Sequence, residues 1–439
     1  MDSARLSDQS AAADRKRPLV PKEDDSDSKM QIMVLGSGQE VGRSCIMIKY
    51  QRKTVMLDCG THPARSGESS LPFFDAWDLS EVDVALISHF HIDHAAAVPY
   101  LTERTAFKGK VYMTHPTKSI FKLVCDDIVN VNRSNSGAAN EPLYTSQHVQ
   151  NCLKRIEVCQ YHQTIEEKGI KFTAYNAGHV LGAAMFMVEI DGVRVLYTGD
   201  YSRHEDRHLE MAELPRDSQN EVISPDILIV ESTYGTQNNP SRQERESLFA
   251  KYVKDTVTSG GNALVPMFAI GRAQELMLIL EEEWSRDERL KEIPIFYFGD
   301  MARKCLIAYD TYLSLMNEDI RKRHLEEGRS PFKFNFIRHV TKTSDPIFHN
   351  RPAGSPCVAI ASPGMLQSGI SLELFERHDV FDFQIILISM FLDFLHRWCS
   401  NEKNAVVLAG YACQNTTAHE LQGNKQTHKK EDGREIPVK

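Results

Sequence analysis

The sequence predicts an α/β protein built from two parts. In the first part, short apolar strands such as Val55–Leu57 and Val193–Gly199 run into an acidic residue beside a turn. From Ile227 onward, apolar strands alternate with segments of helical periodicity, which indicates a parallel sheet with helices on both faces. The chain has 439 residues, of which 41% are apolar, and is therefore long enough to bury two cores.

The densest motif is Ser-His-Phe-His-Ile-Asp-His at residues 88–94. It follows the apolar run Val82–Ile87, which predicts a buried strand, and precedes Ala95–Val98, which can begin a helix. Imidazole nitrogens and carboxylate oxygens without a thiolate favour zinc or a similarly borderline ion. Three histidines and an aspartate are more than one tetrahedral site uses, so the motif predicts two neighbouring ions.

Further ligands are expected at the ends of other strands. Three residues fit: Asp58 after Val55–Leu57, His179 after Ala174–Gly178, and Asp200 after Val193–Gly199. A single histidine or aspartate at a strand end is usually a hydrogen-bonded turn residue. Because all three occur in this order and each stands beside a glycine or a turn, the sequence favours one shared metal centre.

In this order, the motif residues resemble the metallo-β-lactamase superfamily. The resemblance implies a four-layer αββα sandwich with a two-metal hydrolytic centre. It assigns His89, His91 and His179 to one ion, Asp93 and His94 to the other, Asp200 to a bridge between them, and Asp58 to the orientation of the bound hydroxide or of a ligand histidine. In such centres the two ions lie roughly 3.5–4 Å apart, which suits in-line attack of a hydroxide on phosphorus.

The segment after Glu-Ser-Thr-Tyr-Gly at residues 231–235 adds a Rossmann-like insertion and resembles the β-CASP nucleases, which act on DNA or RNA. The motifs that fit include Gly38–Cys45, Ala177–Ala183, Gly271–Glu275 and Ser362–Met365. The likeness runs from about residue 31 to the last residue. It is greatest with the group that cuts pre-mRNA before polyadenylation, and the Integrator-type nucleases fit less well.

This resemblance implies a zinc-dependent endoribonuclease subunit in the nucleus, with pre-mRNA and other subunits of the cleavage and polyadenylation complex as partners. Asp58, Asp93 and Glu231 are the catalytic candidates. Arg272 and Ser362 lie at the carboxyl ends of predicted strands and are candidates for RNA contacts. For Arg272, a solvated position in a first helical turn is an equally open interpretation. Hydrolysis of a small molecule is a further alternative, against which the inserted domain counts.

The predicted organisation is a polar tail at residues 1–30, a metallo-β-lactamase part at 31–235 and a β-CASP part at 236–439. An extra apolar segment at 378–397, predicted as an added helix or strand, interrupts the family pattern. Its apolar core of about ten residues is too short for a membrane span, and no signal peptide or other span is expected.

A second departure concerns two histidines that the family places beyond the insertion, one as general acid and one as ligand of the second ion. Residues 433–439 align with the hairpin that precedes them, so both are expected to be absent, and His419 and His428 are poor substitutes. The metallo-β-lactamase part would then lack its C-terminal return, and the second metal site would be incomplete. A catalytically impaired scaffold or a truncated form is therefore the alternative function.

Composition agrees with an intracellular enzyme. Nine cysteines without a C-x-x-C motif suit a reducing compartment. The net charge of -9 argues against a broad phosphate-binding surface, so any RNA is expected to occupy a local channel. The glycines of Gly36–Gly42 have the wrong spacing for a dinucleotide fingerprint, and close backbone approach near the metal centre explains them better.

Overall fold

The computed structural model covers most of both predicted parts. The residues it describes are 28–135, 142–236, 240–352, 354–376, 384–387, 403–409, 412, 416–422, 427–429 and 435–437. The predicted tail at 1–30 lies almost wholly outside the described residues, and so does most of the apolar segment at 378–397. No helix in these ranges has the length and apolar character that crossing a bilayer requires.

The first part contains two sheets. The first sheet consists, in spatial order, of β1 (Gln31–Gly36), β2 (Cys45–Tyr50), β3 (Lys53–Leu57), β4 (Val84–Leu86), β5 (Lys110–Thr114) and β6 (Ile156–Cys159). The second consists of β7 (Thr164–Glu167), β8 (Ile170–Asn176), β9 (Ala184–Ile190), β10 (Val193–Tyr197) and β11 (Ile227–Ile229), with β11 and β7 at its edges. Strands β3 to β6 run parallel, as do β10 and β11.

The two sheets pack face to face. Phe172 and Phe186 of the second sheet share one buried cluster with Val55 and Leu86 of the first. Residues that alternate with these also lie in the core, for example Met185 beside Phe186, because both faces of the second sheet are buried along β9. Burial on both faces accounts for the nearly continuous apolar runs of these strands.

Helices cover the outer face of the first sheet. They are α1 (Ile92–Ala95), α2 (Val98–Arg104), α3 (His115–Asn135) and α4 (Ser146–Arg155). Met56 and Ala85 on that face cluster with Leu101 of α2 and Phe121 of α3. These helices and the two sheets correspond to the helix, sheet and sheet layers of the predicted αββα sandwich.

The second part is a six-stranded sheet in which every pairing is parallel. Its spatial order is β14 (Ile337–Val340), β13 (Ile295–Phe298), β15 (Val358–Ala361), β12 (Ala263–Pro266), β17 (Ala405–Leu408) and β16 (Gln384–Leu387). The helices are α5 (Arg242–Thr258), α6 (Arg272–Arg286), α7 (Asp300–Thr311), α8 (Glu318–Glu327), α9 (Pro346–His349), α10 (Gly369–Glu376) and α11 (Thr417–Gln422). A separate antiparallel hairpin joins β18 (Thr427–Lys429) to β19 (Glu435–Pro437).

Both faces of this sheet are buried under helices, as the alternation of strands and helices predicted. Leu264 of β12 packs in a cluster with Leu374 of α10, whereas its neighbour Val265 packs with Val253 of α5 and Met277 of α6. The described residues of the extra apolar segment, Gln384–Leu387, form strand β16 at the sheet edge. Of the two predicted alternatives, strand is therefore the observed structure for these four residues.

Candidate metal centre

The predicted ligands meet at one edge of the two sheets in the first part. Asp58 directly follows β3, and because Leu57 pairs with Leu86, it lies beside the start of the motif that follows β4. His179 follows β8, and Asp200 follows β10. Parallel or facing strands that end together bring residues distant in sequence into one site.

His89, His91, His179 and Asp200 form a group in which each residue offers a ligand atom within 4.8 Å of all the others. The Nδ1 atom of His91 lies 2.9 Å from Nε2 of His89 and 3.2 Å from Nε2 of His179. Four ligands held 2.0–2.1 Å from a tetrahedral zinc ion are roughly 3.3 Å apart. The spacing of the three nitrogens therefore fits a metal ion.

Asp200 faces two groups of ligands. Its Oδ2 atom lies 3.6 Å from Nε2 of His179 and 4.0 Å from Nε2 of His89. Its Oδ1 atom lies 3.4 Å from Nε2 of His94, which is in turn 3.7 Å from Oδ2 of Asp93. The carboxylate is thus oriented as a bridge between a group of histidines and the Asp93–His94 pair.

Asp58 is fully buried and accepts hydrogen bonds on both carboxylate oxygens. The Ser88 backbone N–H donates to Oδ1 at 2.6 Å, and the Ser88 hydroxyl donates to Oδ2 at 2.8 Å. Nδ1 of His94 lies 2.7 Å from the same Oδ2, which the Tyr197 hydroxyl also contacts. Asp58 is therefore placed to orient His94, which is one of the two roles that the resemblance implies for it.

These contacts assign protons to Nδ1 of two histidines. Since a carboxylate only accepts, Nδ1 of His94 carries a proton, and Nε2 is the nitrogen that a metal ion would bind after displacing its proton. The Ser88 hydroxyl gives its proton to Asp58, so it accepts from Nδ1 of His89 at 2.9 Å, and Nε2 of His89 keeps its lone pair. The Nε2 atoms of both histidines face the candidate metal centre.

An Asp58→Asn substitution is expected to weaken zinc binding by about 10–100-fold. The asparagine amide places a donor against partners that are themselves donors, which also leaves a buried group unsatisfied and destabilises the fold by about 1–3 kcal/mol. Competition with a chromophoric chelator measures the affinity, and urea unfolding measures the stability. Asp191→Asn, at a surface residue paired with Lys53, is the matched control. Equal zinc affinity in both variants would contradict the role of Asp58.

The ionisation of the histidines suits ligand binding. Burial lowers the pKa of His91 to about 4 and holds the pKa values of His89 and His179 well below their usual range. Burial also tends to lower the pKa of His94, but the carboxylates of Asp200, Asp93 and Asp58 outweigh burial and raise this pKa to about 10. Burial raises the pKa of Asp200 to about 6. Ligand nitrogens must be deprotonated, so a cation between His94 and Asp200 would displace a proton.

The backbone around the motif is held from two sides. The Ser44 N–H donates to the Asp93 carbonyl, and the Cys59 N–H donates to the His94 carbonyl, both at 2.8 Å. A Cβ atom at Gly60 would lie 1.7 Å from the Asp93 carbonyl oxygen. The sequence indicated close backbone approach for the glycine-rich segment Gly36–Gly42. In that segment, a Cβ atom at Gly36 would lie 1.9 Å from the Arg43 carbonyl oxygen.

The other candidates take different positions. Glu231 lies two residues past Ile229, which pairs with Tyr197, so it is level with Gly199 beside Asp200. Its carboxylate accepts the Thr233 N–H at 2.8 Å and contributes to the raised pKa of Asp200, after burial and the Asp93 carboxylate. It belongs to the surroundings of the centre.

Arg272 is the first residue of α6 and is exposed. A Cβ at the preceding Gly271 would lie 3.3 Å from Nε2 of His91, so α6 begins beside the metal centre. Ser362 follows β15, whose last residue Ala361 accepts the Met267 N–H at 2.9 Å. Arg272 and Ser362 therefore lie at the same carboxyl edge of the second sheet.

Sequence reasoning missed three features of the site. The Tyr197 hydroxyl contacts the Asp58 carboxylate, although the two residues are 139 positions apart in sequence. Because Tyr197 lies in an apolar strand, the sequence pattern did not predict a polar role for it. Ser88 was part of the motif but was given no role. Gly271 was named within a family motif but was not predicted to lie at the metal centre, although its φ of +100° and its place beside His91 show why glycine is required there.

Comparison with known proteins matches the two parts to two domain families. Residues 47–229 match the metallo-beta-lactamase superfamily domain, and residues 273–379 match the Beta-Casp domain. The chain is 46% identical over 399 residues to the Endoribonuclease YSH1 of Yarrowia lipolytica, covering 91% of this chain and 44% of that protein. It is 44% identical over 425 residues to the Cleavage and polyadenylation specificity factor subunit 3 of Dictyostelium discoideum, covering 96% and 50%.

A third relative is the Cleavage and polyadenylation specificity factor 73 of Drosophila melanogaster. It is 42% identical over 415 residues, which cover 94% of this chain and 55% of that protein. The chain therefore spans about half the length of the curated relatives it matches.

Proposed function

Because the chain belongs to the family that joins a metallo-β-lactamase superfamily domain to a β-CASP domain, we propose that it carries the nuclease region of a zinc-dependent endoribonuclease acting on pre-mRNA. The observation that carries this proposal is the convergence of His89, His91, His179 and Asp200 beside the first turn of α6. A hydrolytic centre next to the carboxyl edge of a parallel sheet is suited to a substrate that both domains contact.

In this proposal, His89, His91, His179 and Asp200 hold one zinc ion, while Asp93 and His94 share Asp200 toward a second. When bound, zinc polarises phosphodiester oxygens and supplies activated water for hydrolysis. The chain's own contribution is orientation: Asp58 fixes His94 directly and His89 through the Ser88 hydroxyl. Glu231 adds negative charge beside Asp200, which supports its candidacy as a catalytic group.

RNA is proposed to pass between the metal centre and the carboxyl edge of the second sheet. Arg272 would contact a phosphate, and the turn at Ser362 would line the same edge. The proximity of α6 to His91 supports this path. Pre-mRNA as substrate, the nucleus as location and other cleavage and polyadenylation subunits as partners are proposed from the names of the relatives, two of which are polyadenylation factors.

The proposal is tested by incubating the chain, after removal of metal and re-addition of zinc, with labelled single-stranded RNA and separately with a chromogenic β-lactam. For a nuclease, the expected result is zinc-dependent cutting of RNA with no turnover of the β-lactam. Binding of zinc and RNA without cutting would favour the catalytically impaired form instead. Hydrolysis of the β-lactam with RNA left intact would contradict the proposal and favour a small-molecule hydrolase.

Replacing Arg272 by alanine is expected to weaken RNA binding and reduce its dependence on salt, because one cationic contact to phosphate is lost. The slope of log affinity against log salt should fall by about 0.7 for a single strand. Fluorescence anisotropy over a salt series measures it. Arg286→Ala, at the far end of the same helix, is the matched control. Equal slopes in the two variants would show that Arg272 is solvated and does not contact RNA.

A further inference from the structure

The loop at residues 205–210, which follows Asp200, lies against the second part of the chain. The Asn317 N–H before α8 donates to the His208 carbonyl at 3.0 Å, and the Asn317 side chain donates to the Asp206 carbonyl at 2.9 Å. Arg207 binds Glu246 of α5 at 2.6 Å and Glu282 of α6 at 2.7 Å. Three helices of the β-CASP part therefore hold one loop of the metallo-β-lactamase part.

Glu275 of α6 lies at the centre of this contact. It is 6% exposed, and its Oε2 atom lies 2.9 Å from Nδ1 of His208, which is 2% exposed. The Arg207 backbone N–H also donates to both of its oxygens, at 3.0 and 3.1 Å. Burial opposes ionisation, but the hydrogen bonds from His208 and Arg207 hold the pKa of Glu275 below its usual value. Ionised Glu275 is thus matched by donors.

The same helix carries Arg272, one turn before Glu275. Because a helical turn is rigid, fixing Glu275 to the loop also fixes where Arg272 and the preceding Gly271 stand relative to the histidines. Gly271 approaches His91 closely, so a small movement of α6 would change the distance between the start of this helix and the metal centre. None of the ligands touches Glu275, which separates this contact from metal binding among the described residues.

We propose that Glu275 is a positioning residue: by locking the loop at 205–210 onto α6, it sets the distance between the metal centre and Arg272. This inference rests on the proposed function for the role of Arg272. The hydrogen bonds of Glu275 to Arg207 and His208, which we call the lock, do not depend on that function. The chemical class of ligand whose binding is affected is the single-stranded RNA backbone.

The test variant is Glu275→Gln in the full chain. Glutamine keeps the size of the side chain but replaces one acceptor oxygen by an amide that must face a donor from His208 or Arg207. The matched control is Glu283→Gln on the same helix, where the native carboxylate pairs with Lys254 inside the second part. Hydrogen–deuterium exchange of peptides covering residues 203–211 reports on the lock, and peptides from β9 report on the fold.

Exchange at 203–211 should accelerate by about tenfold in Glu275→Gln, the equivalent of one lost hydrogen bond to a charged group. Exchange in β9 and the zinc content should stay unchanged, and Glu283→Gln should behave as wild type. Affinity for a phosphorothioate RNA, which resists cleavage, should fall by about tenfold. Adding Glu275→Gln to Arg272→Ala should then lower it no further than Arg272→Ala alone.

Unchanged exchange in Glu275→Gln would overturn the lock whatever RNA does. Faster exchange with RNA affinity equal to that of Glu283→Gln, while Arg272→Ala binds weakly, would overturn the positioning of Arg272. A wild-type chain that binds no RNA would contradict the proposed function instead, and the exchange rates would then decide the lock on their own.

Discussion

A variant with both His89 and His91 replaced by alanine is expected to lose its bound zinc. His91 lies within 3.2 Å of both other ligand histidines, so removing it with His89 leaves only His179 and Asp200 of the group of four. Two ligands cannot complete a tetrahedral site. Elemental analysis after gel filtration should find zinc in the wild-type protein and only traces in the variant.

The control for this experiment is His324→Ala with His349→Ala, which removes two histidines from the last turns of α8 and α9. That variant should keep the wild-type zinc content. Circular dichroism of both double variants shows whether the fold is retained. Stoichiometric zinc in folded His89→Ala, His91→Ala protein would place the metal elsewhere and would remove the basis of the proposed centre.

The positions of the ligands were predictable because a strand that ends at a sheet edge appears in the sequence as an apolar run followed by a polar residue. Each of Asp58, His179 and Asp200 follows an apolar run, and the structure brings all three to the histidine motif. The parallel sheet was predictable for a related reason. Strands buried on both faces need apolar runs, and parallel connections need helices between them.

The structure adds one short helix that the sequence did not predict. A helix was predicted to begin within Ala95–Val98, and α2 begins at Val98. A further short helix, α1, begins at Ile92 inside the motif, with His91 before it in a non-helical conformation. Backbone donors from Ser44 and Cys59 bind the carbonyls of Asp93 and His94 and fix this early turn. Ser44 lies just before β2 and Cys59 just after β3, so the sequence near residue 92 carries no sign of these donors.

The contacts that sequence did not reveal are pairs of polar residues far apart in the chain. Glu275 looks like an ordinary charge in a first helical turn, and His208 like a loop histidine. Only the packing of the two parts shows that both are buried and bonded to each other. The same is true of Tyr197 and Asp58. Patterns predict which side chains face a core, but a buried polar pair depends on tertiary register.

Asp93→Asn is expected to reduce RNA cleavage by at least about 10²-fold, a typical cost of losing one charge-stabilising group at a catalytic centre. Asp93 is half-buried, and its Oδ2 atom lies 3.7 Å from Nε2 of His94, which is 3.4 Å from Oδ1 of Asp200. Asparagine has the same size but removes the negative charge that a second ion needs.

The fold should survive this substitution, because the hydrogen bond from Ser44 is accepted by the Asp93 backbone carbonyl and not by its side chain. Zinc bound by His89, His91 and His179 should likewise remain. The measurement is single-turnover cleavage of labelled RNA at saturating zinc, with zinc content and melting temperature recorded for the same sample. Asp191→Asn serves again as the surface control. Cleavage by Asp93→Asn at the wild-type rate would mean that the Asp93–His94 side takes no part in the chemistry, and that one ion held by three histidines and Asp200 is sufficient.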